Sequence, residues 1–285
     1  MEIVLALGGG GAKGNAHLGV IKVLEEEGYL IRGVAGTSAG GMVAAVYAAG
    51  YRPDEIIEIF SSVDQNNLYS LGSGPALLGM EGISKALNKF LDQETFQDLE
   101  IPCALTAVDL KEMREVILSE GLVLDAVMST IAIPGIFPPR TWGNHQLIDG
   151  GVVDPVPVTA ARKLVRDLPV VAVSLSTLSP KEIKYLPEAL LRDPPFLKPI
   201  SRLRVAQAFD IFMRSVILTQ HVLTEKRLEL EKPDYVIRPE VGHIGYLDRV
   251  NVKEVAALGE QAARAALPEL KKKVRRRKGL RTLFS

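Results

Sequence analysis

The sequence predicts an α/β fold, a three-layer α/β/α sandwich around a mainly parallel central sheet. Three observations carry that expectation. Short aliphatic runs at Glu2–Leu7 and Ile31–Ala35 read as buried strands. Each leads through glycines into a segment with helical spacing of apolar residues. The resulting order of strand, loop, helix, strand and helix opens a sheet whose parallel strands are joined by crossover helices.

The first glycine run, Gly8 to Gly14, ends the opening strand, and from Asn15 the residues Leu18, Val20, Ile21 and Leu24 recur at helical spacing until Gly28. Ala39–Ala49 is apolar nearly all round, with small residues at Gly40, Gly41, Ala44, Ala45 and Ala48, as in a helix buried against a sheet. Gly50 and Pro53 are read as its end. Residues 64–82 are polar and punctuated by five glycines or prolines, which predicts a mobile loop over a site. Helices are expected at Ile83–Leu91, Leu122–Ile131 and Val158–Val165, and strands at Pro102–Asp109, Arg114–Leu118, Gln146–Ile148 and Val170–Leu175. Five prolines interrupt residues 180–199. A long helix follows over Ser201–Leu230, with Val205, Phe209, Phe212, Val216 and Leu223 along one side, suited to core packing or to an acyl-binding or membrane-facing surface. Asp234–Arg238 is a last strand and Val252–Leu267 a last helix. No repeat or low-complexity linker divides the chain, so one domain is expected over residues 1–270, followed by a basic tail, 271–285.

Composition sets bounds on function. The chain has 285 residues, 47% hydrophobic and 24% charged, and no apolar run approaches the ~18 residues of a membrane span. Met1-Glu2 opens directly onto a strand, so no signal peptide is expected and the expected location is cytoplasmic. The single cysteine, Cys103, excludes an internal disulfide and reads as a buried thiol. Net charge is zero, but eight of the 34 basic residues lie in Lys271–Arg281, where there is no acid. That stretch has the composition to touch anionic lipid or nucleic acid, set against the plainer reading of a solvated terminus.

The chemistry centres on Gly36-Thr37-Ser38-Ala39-Gly40. A serine between glycines, after a strand and before a helix, is the pattern of a nucleophile elbow. Its hydroxyl then stands at a helix N-terminus, where developing negative charge is favoured. The glycines at 9, 10 and 11 supply bare amides for an oxyanion, one such donor being worth about 3–4 kcal/mol in a transition state. Asp149, at a strand end before Gly150-Gly151, is the candidate base, strengthened if partly desolvated. Three rivals share these residues. Gly9-x-Gly11-x-x-Gly14 fits a dinucleotide fingerprint, but no acid ends the second strand to hold a ribose. Ala12-Lys13-Gly14 fails the Walker pattern. Ser38, Asp149 and then His221 or His243 fall in the order of a histidine triad, whereas His17 is expected to bond backbone near the glycine loop and His145 to lie at the surface. No metal-binding spacing is present.

Gly9-Gly10-Gly11-Ala12-Lys13-Gly14, Gly36-Thr37-Ser38-Ala39-Gly40 and Asp149-Gly150-Gly151 resemble the motifs of the patatin-like phospholipase family, in particular its small bacterial members. Ala132 to Pro139 and Val153-Asp154-Pro155-Val156-Pro157 are similar to the family's segments around its aspartate, and the likeness covers roughly residues 3–160. One departure is Gly8, where many members have aspartate. The resemblance implies a Ser-Asp dyad of Ser38 and Asp149 without histidine and an oxyanion hole from Gly9, Gly10 and Gly11. It also implies motif glycines at Gly14, Gly36, Gly40, Gly150 and Gly151, and no metal or cofactor. The implied substrate is a fatty-acyl ester or phospholipid. Contact with an anionic membrane through Lys271–Arg281 would then place the protein peripherally at the inner membrane, with no nucleic-acid partner. The alternative is a lipid-binding or regulatory protein with a vestigial site.

Overall fold

The computed structural model describes residues 1–66, 68–71, 76–177 and 199–282, with side chains omitted at 70, 71, 199–206, 209, 210 and 276–282. In order, the elements are β1 (Glu2–Leu7), α1 (Ala16–Glu26), β2 (Leu30–Thr37), α2 (Ala39–Ala48), α3 (Pro53–Ser62), β3 (Ser70–Leu71), β4 (Leu78–Gly79), α4 (Glu81–Leu91) and β5 (Cys103–Asp109). Then come β6 (Arg114–Leu118), α5 (Val123–Thr130), β7 (Arg140–Trp142), β8 (His145–Asp149), α6 (Val158–Leu164), β9 (Val170–Val173), α7 (Pro199–Glu231), β10 (Tyr235–Ile237) and α8 (Val252–Thr282). The fold is the expected three-layer α/β/α sandwich.

The sheet runs β10-β9-β1-β2-β5-β8-β7, with β6 also paired to β5. From β10 to β5 every pairing is parallel. The β5 strand then pairs antiparallel with both β6 and β8. Alternation along β1 sorts its residues between two cores: Ile3, Leu5 and Leu7 face one layer, Val4 and Ala6 the other. The first core lies under α1, α2, α5 and α8. The second is thinner and built largely of alanine and valine, with Ala6, Ala35, Ala104 and Ala172 meeting α6 and Leu228 of α7. Small residues there let α6 approach the strands closely.

Register along β5 positions the site. β2 pairs with β5 from Val34–Cys103 to Thr37–Thr106, and β8 pairs with it from Asp109–Leu147 to Ala107–Asp149. Because β6 holds residues 105–109 of β5 from one side, β2 and β8 share the other edge. They therefore meet end to end, Thr37 opposite Thr106 and Asp149 opposite Ala107.

Several expectations are corrected. Pro53 does not only end a helix; it begins α3 as its first residue, with acids at 54 and 55 in the first turn and Glu55 Oε2 accepting from Arg52 N at 2.8 Å. Residues 67 and 72–75 of the expected mobile loop lie outside the described residues, and its described ends are tied down. Leu78 and Met80 are buried, and the Gln65 amide both donates to and accepts from the Val250 backbone. The prolines of 180–199 lie outside the described residues except Pro199, at the start of α7. Among the described side chains of α7, Met213, Thr224 and Leu228 are buried, while Phe212 of the expected apolar side is half exposed; Val205 and Phe209 of that side lie outside the described side chains. The last helix does not stop at Leu267 before Pro268 but runs on to Thr282. Leu270 and Val274 are fully buried, so the apolar stripe continues among the lysines and arginines, and residue 270 falls inside α8. Among the described residues, no helix is long and apolar enough to cross a membrane.

The tightest helix contact is between α1 and α8. A Cβ on Gly19 would lie 1.9 Å from Ala256 O, and one on Gly259 would lie 1.9 Å from Ala16 O. The two backbones touch through glycine. Gly19→Ala should lower stability by about 1–3 kcal/mol in urea unfolding, although alanine is favoured over glycine inside a helix by about 1 kcal/mol. An unchanged or raised midpoint would contradict so close a crossing.

Candidate active site

Ser38 ends β2 and begins α2, and its backbone has φ 54° and ψ −126°. A positive φ is unfavourable for a residue with a side chain, at about 1–3 kcal/mol, and persists only where the surroundings impose it. Here they do. A Cβ on Gly36 would sit 2.4 Å from Gly40 O, and one on Gly40 would sit 2.2 Å from Leu7 O, so the turn closes only with glycine at both positions. Thr130 Oγ1 accepts from Ser38 N at 2.8 Å, and Ser38 O accepts from Met42 N to start the helix. The strained elbow is thus fastened on both sides of the serine.

Asp149 arrives from the opposite direction at the end of β8. Its amide donates to Ala132 O at 3.0 Å, which fixes the strand end against the Ala132 to Pro139 segment. The carboxylate accepts from Gly151 N at 2.7 Å and shares a cavity with Ser38. Burial pushes this carboxyl up to about 6, against the lowering effect of the neighbouring Ser38 side chain and the Gly151 amide. Gly150 allows the turn away from the strand, because a Cβ there would lie 2.2 Å from Thr106 Oγ1. Thr106 in turn shares a 2.7 Å hydroxyl contact with Thr37, whose Oγ1 also lies 2.8 Å from Asp154 O.

The glycine loop divides its roles. Gly9 N donates to Pro155 O at 2.9 Å, so this amide, expected as an oxyanion donor, is engaged in holding the loop. Its lack of a side chain still matters, since a Cβ would come within 3.2 Å of Ser38 Cβ. Among the described contacts the amides of Gly10 and Gly11 are not engaged in this way, and Gly10 lines a cavity with Ser38 and Asp149. Gly14 packs on Ala39. Lys13 is buried with its Nζ 5.4 Å from the centre of the Tyr246 ring, and burial lowers its pKa.

No described contact brings a histidine to Ser38 or Asp149. His17 is fully buried and donates from Nε2 to Gly8 O at 2.7 Å, as its position after the glycine run suggested; burial lowers its pKa to about 4 and keeps it neutral. His221 Nδ1 lies 3.0 Å from Ser176 Oγ, and His243 is exposed. His145, expected at the surface, is half exposed and bonds the buried Asp109. Sequence reasoning missed Thr130, Gln220 and Tyr246. Tyr246 OH donates to Gln220 Oε1 at 3.2 Å, joining α7 to the 245–250 loop beside Ser38. These come from distant parts of the chain with no local motif.

The patatin-like phospholipase family model matches residues 5–162. An uncharacterized NTE family protein of Mycobacterium tuberculosis is 38% identical over 179 residues, 61% of this chain and 49% of that one. The lysophospholipase NTE1 of Mycosarcoma maydis is 32% identical over 169 residues, 56% of this chain and 9% of that one. The chain thus spans about half the mycobacterial relative and under a tenth of the fungal one. Among solved structures, VipD from Legionella pneumophila superposes with a TM-score of 0.60 at 16% identity, covering 94% of this chain and 66% of that one, a likeness of fold.

The raised Asp149 carboxyl carries a stability consequence. The folded chain ionises this group at about 6, the unfolded chain near 3.9. Folded protein therefore binds the extra proton, and stability is lost as pH rises between those values, by roughly 3 kcal/mol in all. Asp149→Asn, which keeps an oxygen for Gly151 N, should raise Tm at pH 7.5 and change it little at pH 4. A variant less stable than wild type at pH 7.5 would show that the ionised carboxylate is not the strained species.

Proposed function

We propose that this chain, which belongs to the patatin-like phospholipase family, hydrolyses fatty-acyl esters of lipids with a Ser38–Asp149 dyad. The observation that carries the reading is the placement of a strained, helix-capping serine on the same cavity wall as a buried carboxylate of raised basicity. Ser38 Oγ attacks the acyl carbon as Asp149 takes its proton. The carbonyl oxygen becomes an oxyanion facing the amides of Gly10 and Gly11 at the positive end of α2. On collapse the ester C–O bond breaks, and the proton passes from Asp149 to the departing alcohol. A water molecule, activated by Asp149 in the same way, releases the fatty acid and restores Ser38.

A base that is buried needs no histidine to reach a useful pKa. Water-like carboxylates ionise near 4 and make weak bases at neutral pH; one at about 6 is closer to the optimum for general-base work. The same proposal includes peripheral contact with anionic lipid through Lys271–Arg281, on the last turns of α8, in a cytoplasmic protein whose catalytic unit spans residues 1–270. Three of those cations already have partners: Lys271 meets Glu27, Lys272 meets Glu269, and Lys273 lies over the Tyr235 ring.

The test is intact-protein mass spectrometry after a fluorophosphonate probe, paired with hydrolysis of a soluble acyl ester. Wild type should take one adduct and turn over, and Ser38→Ala should do neither. Asp149→Asn should lose about 10²–10⁴-fold in kcat. Because the base must be ionised, kcat/KM for wild type should rise with pH through about 6 and then level off. Well-folded wild type without adduct or turnover would favour the lipid-binding alternative.

A further inference from the structure

Ser38 stands where two cavities meet, and both share Ile133 and Tyr246 as walls. The first, with an empty volume of ≈ 970 Å³, runs between α2, the end of α3, α4 and the 245–252 loop, with Met42, Phe60, Ile83, Leu87 and Phe137 among its walls. The second, ≈ 1230 Å³, lies on the Asp149 side under α7, against Val152, Val156, Met213, Val216 and Ile217.

The polar groups of these walls are mostly spent within the protein. In the first cavity Asn15 donates to Ala12 O, the Gln65 amide is bonded both ways to Val250, and Asp248 accepts from Gly245 N. In the second, Ser215 donates to Ile211 O, Thr224 donates to Gln220 O, and Ser176 pairs with His221. Among the described residues neither wall contains a lysine or arginine, while Asp248 and Asp149 add two acids. Lys13, buried beside Tyr246, already interacts with Asp248, so a phosphate drawn in with its ester would meet no free cation among the described wall residues and would face the Asp149 carboxylate.

Resting on the hydrolase reading above, we infer that the ester cleaved at Ser38 is uncharged on both sides of its carbonyl, a hydrocarbon acyl chain joined to a neutral alcohol. It is the ester of an acylglycerol or a long-chain alcohol. The acyl chain occupies the first cavity, and the alcohol leaves through the second.

The deciding comparison uses 1-oleoylglycerol and 1-oleoylglycerol 3-phosphate, which differ only by the phosphate, in the same detergent micelles. The neutral ester should be hydrolysed with at least tenfold higher kcat/KM; a smaller ratio overturns the inference. Val216→Arg, placing a cation in the second cavity, should narrow the ratio at least threefold, and Val216→Gln should not; the reverse pattern overturns it. Ala86→Trp, on the α4 wall of the first cavity, should move the preferred acyl length of p-nitrophenyl esters to shorter chains, and an unmoved profile overturns the assignment of the acyl chain. If Ser38 takes the fluorophosphonate but neither glycerol ester is cleaved, the substrate inference fails and the hydrolase reading stands. If Ser38 takes no probe and nothing is cleaved, the hydrolase reading itself fails.

Discussion

Everything at this site depends on two strands ending head to head against one edge of β5. β2 brings Thr37 up to Thr106, and β8 brings Asp149 down to Ala107. A parallel sheet alone could deliver Ser38 but not its partner, because parallel neighbours end at the same level with crossovers between them. The antiparallel β8 solves this by entering the same edge from the far end. The junction is crowded, and what relieves it is the absence of side chains: a Cβ at Gly150, Gly36 or Gly40 would fall within 2.4 Å of backbone or of Thr106 Oγ1. The two threonines then satisfy each other's hydroxyls in a place that water does not reach.

Behind that junction lies a second buried polar group. Asp154 is fully buried, with Arg227 Nε 3.1 Å from its Oδ1. The same guanidinium meets Glu231 at 2.6 Å and Glu115 at 3.8 Å and donates to Val153 O. One cation among three carboxylates does not neutralise them. Burial raises the Asp154 pKa strongly, Arg227 opposes the rise, and Glu115 and Glu231 add to it. The Asp154 backbone meanwhile touches both halves of the site, since its amide donates to Gly150 O and its carbonyl accepts from Thr37. Arg227 therefore couples α7, a wall of the second cavity, to the backbone that carries Ser38 and Asp149.

How much of this was legible in the sequence follows from how local each constraint is. The elbow could be read because a strand, two glycines and a serine within five residues admit few other conformations, and the bounds of β2 and α2 fell within two residues of their places. The position of Asp149 at a strand end could be read because a carboxylate between an aliphatic strand and two glycines is locally unusual. The engagement of Gly9 could not, since its partner, Pro155 O, is 146 residues away along the chain. Thr130, Gln220, Arg227 and Tyr246 reach the site only through tertiary packing. The same limit explains the helix ends. Pro53 and Pro268 are stop signals by local rule, but Pro53 opens α3 and Pro268 lies within α8, where buried Leu270 and Val274 carry the helix onward.

Among the described residues no contact brings a histidine to Ser38, and in the proposed mechanism the burial of Asp149 is the physical counterpart. A triad keeps its acid ionised and lets an imidazole move the proton. Here the carboxylate would move it directly, so its basicity must come from desolvation, and desolvation weakens the fold whenever the group is charged. The amide of Gly151, and Ser38 beside it, limit that loss by favouring the charged form. More hydrogen bonds would stabilise the fold further but lower the pKa and weaken the base. In the proposed mechanism, one amide bond, the neighbouring serine and deep burial would be a compromise between a stable strand end and a usable base. That compromise also explains the apolar walls on either side of Ser38. Hydrocarbon around Asp149 keeps water from solvating its charge, so the surface that tunes the base is the surface that would receive a lipid.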